Sequence, residues 1–128
     1  MNLLLDSHLL LWVAADPEKL SAEAVTMINS DSNQLYFSAV SIWEVVIKNA
    51  LQRESFYFDP HLLKRGLVDN GYQELPITSA HSFGVAHLPP IHKDPFDRML
   101  VAQAEFEGFL LLTSDAVVAQ YPGPVRLV

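Results

Sequence analysis

The chain has 128 residues, of which 50% are hydrophobic, and this combination predicts one folded domain over residues 1–128 and excludes a disordered chain. It has no cysteine, which excludes disulfides, zinc–thiolate sites and thiol catalysis. The net charge of −7 argues against a broad basic surface for nucleic acid, although carboxylates that hold divalent cations would make part of the surface less negative.

The N-terminal segment predicts a buried strand followed by a helix. Residues 3–5 are an apolar run that ends at Asp6, which is typical of a parallel strand with a carboxylate at its C-terminal edge. Asp6 either caps the helix predicted over residues 9–13 or takes part in chemistry. The segment lacks the basic region of a signal peptide, and no apolar run approaches the ~20 residues that cross a bilayer. We therefore expect a cytoplasmic protein without a membrane segment.

The rest of the chain alternates helical and strand patterns. In chain order it predicts a helix over residues 16–29, a strand over 35–37, helices over 38–51 and 60–68, a strand over 72–75, helices over 80–86 and 95–107, a strand over 109–113, a brief helix over 116–120 and a strand over 125–128. Asp16 before Pro17 is the predicted cap of the first of these helices. The alternation predicts a three-layer α/β sandwich with a mostly parallel central sheet.

Four aspartates lie where such a sheet brings segments together. Asp6 and Asp115 each follow a predicted strand, whereas Asp94 and Asp97 begin a helix, with Asp94 as its N-cap and Asp97 in its first turn. In parallel sheets the carboxyl ends of strands and the N-termini of helices meet at one edge, where sites form. Several acids at one edge repel one another unless a cation lies among them.

Glu44 is the unusual member of the helix over residues 38–51. It lies in the most apolar part of that helix, too far from either end to cap it. It is either the exposed i,i+4 partner of Lys48, worth only ~0.3–0.5 kcal/mol, or a partly desolvated carboxylate that needs a cation or a donor.

These acids predict a divalent metal site. Oxygen ligands without cysteine or paired histidines favour Mg²⁺ or Mn²⁺, which can activate water and stabilise charge on a phosphodiester. Hydroxyls near the acids that could orient ligands or water are those of Ser7, Ser38, Thr113 and Ser114. The histidines are interpreted as a structural group, His8, and as surface or second-shell groups, His81, His87 and His92. The basic residues available for nucleic acid are Lys48, Arg53, Lys64, Arg65, Lys93 and Arg98.

Four segments carry a resemblance to a known family. They are Leu-Leu-Leu-Asp-Ser-His at 3–8, Ser-Ala-Val-Ser-Ile-Trp-Glu-Val-Val-Ile-Lys at 38–48, His-Lys-Asp-Pro-Phe-Asp-Arg-Met-Leu-Val-Ala-Gln-Ala at 92–104, and Leu-Leu-Thr-Ser-Asp at 111–115. In this order and spacing the sequence resembles a PIN-domain ribonuclease, specifically the VapC-like toxin of a bacterial type II toxin–antitoxin pair. Departures are Ser7 where relatives often carry Thr, Lys93 where Arg is frequent, and Asp115 without acidic or aromatic neighbours.

The resemblance implies a site and partners. Asp6, Glu44, Asp97 and Asp115 would form the acidic metal site, with Asp94 as an auxiliary. The implied activity is a Mg²⁺- or Mn²⁺-dependent endoribonuclease acting on an RNA substrate. The implied assembly is a homodimer with a cognate antitoxin that inserts a segment near the active site.

Three alternatives are open. A signalling receiver domain also has aspartates at strand ends, but it usually has two adjacent acids after the first strand and a lysine after the last, whereas this chain has Asp6-Ser7 and no lysine beyond Lys93. A haloacid-dehalogenase-like phosphatase would have Asp-x-Asp at the first strand, where residue 8 is histidine. A catalytically silent PIN-like binding module is the third, and the intact acid set argues against it.

Overall fold

The computed structural model describes residues 1–51 and 57–128, so that Arg53 lies outside the described residues. The elements are β1 (Asn2–Leu5), α1 (Ser7–Ala15), α2 (Ala22–Asn29), β2 (Gln34–Ser38), α3 (Ala39–Leu51), α4 (Pro60–Asp69), β3 (Gln73–Leu75), α5 (Ser79–Val85), α6 (Pro95–Glu107), β4 (Leu110–Thr113) and β5 (Val125–Leu127). Short 3₁₀ turns lie at Pro17–Lys19 and Val118–Gln120. Within the described residues, no helix combines the length and the apolar character needed to span a bilayer.

The strands form one sheet in which every pairing is parallel, in the order β3-β2-β1-β4-β5. The first strand is central, because Leu4 pairs with Tyr36 of β2 on one side and with Leu111 of β4 on the other. The chain adds β2 and β3 on one side of β1 and then crosses to add β4 and β5 on the other. The carboxyl ends of β1 and β4 therefore form a topological switch point, the place where open α/β sheets bind ligands.

Two apolar cores cover the two faces of the sheet, which confirms the predicted three-layer sandwich. Side chains alternate along a strand, so Leu3 and Leu5 pack in one core with residues of α1 and α4. Leu4 packs in the other core with residues of α6. All three leucines are fully buried. This is why residues 3–5 read as a continuous apolar run rather than an alternating one.

The prediction that a helix begins at Asp16 is wrong, because the helix in this segment begins at Ala22. Asp16 makes no side-chain cap, its carboxylate lies 3.8 Å from Lys19 Nζ, and the turn that follows it is only a 3₁₀ turn. Leu20 then takes an extended backbone and packs against the core. The helix α2 starts after Ser21, whose Oγ accepts a hydrogen bond from Ala24 N at 3.1 Å. The brief helix predicted over residues 116–120 is likewise reduced to a 3₁₀ turn.

Candidate metal centre

Five carboxylates meet at the carboxyl edge of the sheet, at the switch point. They line one cavity of about 260 Å³, together with Ser7, His8, Lys48 and His92. The five are Asp6, Glu44, Asp94, Asp97 and Asp115. The structure therefore brings together every acid that the sequence analysis selected for the site, from segments as far apart as Asp6 and Asp115.

Asp6 is held at the end of β1 by hydrogen bonds to both carboxylate oxygens. Its Oδ1 accepts from Leu9 N at 2.9 Å, which makes Asp6 the N-cap of α1. Its Oδ2 accepts from Thr113 Oγ1 at 2.6 Å, at the end of the neighbouring strand β4. The side chain is buried, and this burial raises the pKa of Asp6 above its ordinary value. Asp6 thus caps a helix and lines the acidic cavity at once.

Asp94 and Asp97 enter the cavity from the start of α6. Asp94 Oδ1 accepts from Phe96 N at 2.8 Å and from Asp97 N at 3.2 Å, so Asp94 caps this helix as predicted. Pro95 occupies the first helical position, where a missing N–H costs nothing. This start of α6 fixes two carboxylates one turn apart on the cavity side.

The ionisation of Asp97 is opposed by all four of the other acids in the cavity. Burial, followed by the negative charges around it, raises the pKa of Asp97 to about 7. The charges that oppose its ionisation are, in decreasing order, those of Asp94, Glu44, Asp6 and Asp115. A carboxylate repelled by four others is stabilised by a cation placed among them, so the residues present fit a divalent metal ion.

Glu44 reaches the same cavity from α3 and is 6% exposed. Its Oε1 accepts from Ser7 Oγ at 2.7 Å, and its Oε2 lies 2.8 Å from Lys48 Nζ. The i,i+4 pair with Lys48 therefore exists, but the carboxylate is buried rather than exposed. Both of the alternatives stated for Glu44 contribute, because a buried carboxylate is met here by a hydroxyl and an ammonium.

Asp115 closes the cavity from the segment after β4. Its N–H donates to Thr113 Oγ1 at 3.0 Å and its Oδ1 accepts from Val117 N at 2.8 Å. Its Oδ2 lies 3.9 Å from His92 Nε2, and that nitrogen lies 3.2 Å from Asp97 Oδ2. One side-chain atom from each of His92, Asp97 and Asp115 lies within 4.8 Å of the other two, a spacing at which one ion can be held.

A comparison with known proteins identifies the family of this chain. Residues 3–124 match the family model of the PIN domain. The chain belongs to the PIN domain family. No curated protein sequence gives a significant match to this PIN domain.

Solved structures show the same fold at low sequence identity. This PIN domain is similar to a chain of VapBC2 from Rickettsia felis bound to a DNA fragment from their promoter, with a TM-score of 0.72, 11% identity, and 99% of this chain and 98% of that chain covered. It is also similar to DNA-bound VapBC from Salmonella typhimurium, with a TM-score of 0.64, 13% identity, and 100% of this chain and 97% of that chain covered. For VapBC-1 from nontypeable Haemophilus influenzae the TM-score is 0.58 and the identity 14%, with 90% of this chain and 87% of that chain covered. At these identities the likeness establishes the fold.

The hydroxyls predicted to orient the site of this PIN domain divide into two groups. The hydroxyls of Ser7 and Thr113 contact Glu44 and Asp6. At Ser114 it is the backbone rather than the hydroxyl that acts on Asp6, where it lowers the pKa of that carboxyl. The prediction for Ser38 is wrong. Its buried Oγ donates to Gln103 Oε1 at 2.6 Å and accepts from Val40 N at 3.0 Å, so it joins the start of α3 to α6 rather than serving the cavity.

Of the histidines His81 and His92, His81 differs from the expectation, whereas His92 is consistent with it. His81, expected at the surface or in the second shell, is fully buried, with its Nε2 2.8 Å from Glu107 Oε2. His92 lines the cavity; its sequence signals were its place at the start of the segment 92–104 and its position two residues before the cap Asp94. The exposed ring of His8 lines the same cavity.

Among the described basic residues, Lys48 alone lines the acidic cavity. Lys64 is 3.0 Å from Glu74 on another part of the surface. Arg98, considered above as available for nucleic acid, donates instead to the carbonyl oxygens of Val85 and Pro89 at 3.2 and 3.0 Å. The cavity therefore keeps a strongly negative character.

Proposed function

We propose that this PIN domain is a metal-dependent endoribonuclease and the toxin of a type II toxin–antitoxin pair, acting in the cytoplasm. The observation that carries the proposal is the meeting of five carboxylates in one cavity. Burial and then the charges of the other four acids raise the pKa of Asp97 to about 7. Membership of the PIN family and the fold shared with VapBC chains support a toxin nuclease.

The donor set fits Mg²⁺ or Mn²⁺. Carboxylate oxygens are the ligands these hard cations prefer, and Asp6, Glu44, Asp97 and Asp115 would hold the ion, with Asp94 as an auxiliary. When bound, the ion would supply an activated water and stabilise charge on the phosphodiester. The cation would also offset the repulsion that opposes ionisation of Asp97.

The chain's own residues fix the ligands in advance. Asp6 is oriented by Leu9 N and Thr113 Oγ1, and Glu44 by Ser7 and Lys48. Such partners orient ligating carboxylates and keep their oxygens in place. We propose that hydrolysis is direct, without a covalent intermediate, because the acids need only hold and orient.

The test is cleavage of RNA by the Asp97→Asn variant. Asp97 caps no helix, whereas Asp6→Asn would place an amide N–H₂ against either Leu9 N or the Thr113 hydroxyl. We expect Asp97→Asn to lower the rate of RNA cleavage in Mg²⁺ or Mn²⁺ by at least about 100-fold, since loss even of a ligand's supporting partner costs ~10–100-fold. The readout is a single-turnover assay on labelled RNA.

The matched control is Asp31→Asn, which removes the same charge from an exposed turn between α2 and β2. It should cleave RNA like the parent. If Asp97→Asn is folded and cleaves as fast as the parent, the proposed activity is wrong. Failure of the parent to cleave any RNA would favour the silent PIN-like module.

The match to the PIN family excludes the receiver-domain and phosphatase alternatives of the sequence analysis.

The proposed partners are an RNA substrate, an antitoxin protein and a second copy of the chain. The three solved structures are described as VapBC assemblies, and two of them are bound to DNA. We propose by analogy that an antitoxin binds this chain and inserts a segment near the acidic cavity. Copurification of the parent with the product of a neighbouring short gene tests this partner.

A further inference from the structure

The imidazole of His92 is oriented by hydrogen bonds at one ring nitrogen, and its other ring nitrogen faces a carboxylate. Its Nδ1 accepts from Lys93 N at 2.9 Å and from Asp94 N at 3.3 Å. A nitrogen faced by two N–H groups presents its lone pair, so the neutral ring carries its proton on Nε2. That nitrogen lies 3.2 Å from Asp97 Oδ2, which can accept the proton's hydrogen bond.

We infer that His92 is a positioning residue that donates its Nε2–H to the Asp97 carboxylate and does not itself ligate the metal. A ligating neutral imidazole gives the lone pair of one nitrogen and keeps its proton on the other. Ligation through Nε2 would therefore direct a proton from Nδ1 at the N–H groups of Lys93 and Asp94. The inference rests on the proposed metal site and names the role of one residue in it.

The backbone of His92 is also fixed. The buried Tyr121 hydroxyl accepts from His92 N at 3.0 Å and donates to His92 O at 3.3 Å. Arg98 Nη1 donates to the same hydroxyl at 3.1 Å and to Pro89 O at 3.0 Å. Arg98 follows Asp97 directly in α6. The same turn of helix therefore carries the Asp97 carboxylate and the guanidinium that helps to hold the backbone of His92, its proposed donor, in place.

A second histidine provides an internal reference. His81 Nδ1 accepts from Thr78 N at 3.0 Å, and its Nε2 lies 2.8 Å from Glu107 Oε2. As at His92, Nδ1 accepts from the backbone and Nε2 faces a carboxylate, but His81 is a buried residue of α5 and does not line the acidic cavity. The two rings should therefore share a tautomer and differ in their response to metal.

The experiment is NMR of the full chain labelled with ¹⁵N in its histidine rings, at pH about 8, above the ordinary histidine pKa. The His92→Gln spectrum identifies the His92 signals. We expect Nε2 of His92 to carry the proton without metal and after saturation with Mg²⁺, while its shifts move on Mg²⁺ addition and those of His81 do not. A proton on Nδ1 of His92 in the metal-free spectrum, or loss of Nε2–H on Mg²⁺ addition, would overturn the inference.

Paired variants separate donation from packing. Gln at position 92 can offer an N–H₂ near the place of Nε2, whereas Asn is too short to reach Asp97. We expect the Kd for Mg²⁺, measured by calorimetry without RNA, to rise about 10-fold in His92→Asn and to remain within about 2-fold of the parent in His92→Gln. Equal weakening in both variants would overturn the donor role. The exposed His87→Gln is the control and should bind like the parent.

The same measurements keep this inference apart from the proposed function. If Mg²⁺ produces no heat and no shift in the parent, the proposed metal centre fails. The metal-free spectrum still decides whether His92 donates to Asp97, because the Nε2–H tautomer does not depend on an ion.

Discussion

Each acid of the cavity has a structural partner as well as a place in the candidate centre. Asp6 and Asp94 cap α1 and α6, and Glu44 holds Ser7 and Lys48. Caps are readable from sequence because their hydrogen bonds are local. The convergence of the acids is not local, and it was predictable only because strand ends in a parallel sheet share one edge.

Other single residues could not be predicted from local pattern. Ser38 and Gln103 are 65 positions apart, and their hydrogen bond depends on how α6 packs against β2. His81 is buried because Glu107, from a different helix, meets its Nε2. Lone polar residues of this kind carry no periodic signal, and their partners are fixed by tertiary structure alone.

The raised pKa of Asp97 predicts how stability depends on pH without metal. The ordinary value is 3.8 and the folded value is about 7, so the folded state binds this proton more tightly than the unfolded state. Its contribution to the free energy of unfolding is therefore full below about pH 4 and is lost as pH rises through about 7. Burial of Asp6 acts in the same direction.

We expect Asp97→Asn to be more stable than the parent by ~1–3 kcal/mol at about pH 8 in EDTA, with the difference shrinking towards about pH 4. Urea unfolding of both proteins across this pH range measures it. Adding Mg²⁺ should stabilise the parent and leave the variant unchanged. A parent more stable than Asp97→Asn at high pH in EDTA would contradict the electrostatic account.

At the scale of elements, three Asp-Pro pairs show what local sequence can and cannot predict. Asp59-Pro60 and Asp94-Pro95 start α4 and α6, and each aspartate accepts from two backbone N–H groups. Asp16-Pro17 leads only to a 3₁₀ turn, because Leu20 has an extended backbone and packs against the core. Ser21 then caps α2. The motif indicates a turn of helix, and tertiary packing decides whether it continues.

The two capping pairs allow a matched test of Asp94. Asp59→Ala should cost about 1 kcal/mol of stability, and Asp94→Ala should cost less in EDTA because it also removes the charge that most opposes ionisation of Asp97. The corresponding serine variants should restore most of the capping. Only the Asp94 variants should weaken Mg²⁺ binding, because Asp59 lies outside the acidic cavity. Urea unfolding midpoints measure the stabilities, and calorimetry measures the Mg²⁺ affinities. Equal Mg²⁺ affinity in Asp94→Ser and the parent would show that Asp94 is not part of the metal centre.

At the scale of the whole molecule, the alternation of patterns predicted the layers but not the order of the strands. Apolar runs such as residues 3–5 and 110–112 look alike, and nothing local says which of them is central. The observed order follows from the crossover after β3, which returns the chain to the free side of β1. Long-range pairing of this kind is outside the reach of window-based patterns.

The proposed homodimer makes a prediction for an apolar surface of the molecule. A groove of about 500 Å³ is lined by residues of α3, α5 and α6, with Trp43 55% exposed beside Phe96 and Met99. Exposed apolar patches of this kind mark interaction sites. We expect the parent to elute with twice the 14.3 kDa chain mass, and Trp43→Gln to shift towards the monomer.

Size-exclusion chromatography with light scattering measures the masses of the parent and of Trp43→Gln in solution. The control is Leu62→Gln, because Leu62 is equally apolar and 60% exposed but lies on α4. It should remain a dimer. A monomeric parent would refute the homodimer, and a dimeric Trp43→Gln would move the interface to another face.

The central strand β1 is synthesised long before its partner β4. The hydrogen bonds of Asp6 are complete only when Thr113, 107 positions later in the chain, is in place. Asp115 lies two residues beyond Thr113. A nascent chain therefore exposes its first acids without the segment that closes the cavity around them. The acidic centre cannot be complete until residues 110–115 have left the ribosome, so the order of synthesis delays the appearance of any activity housed there.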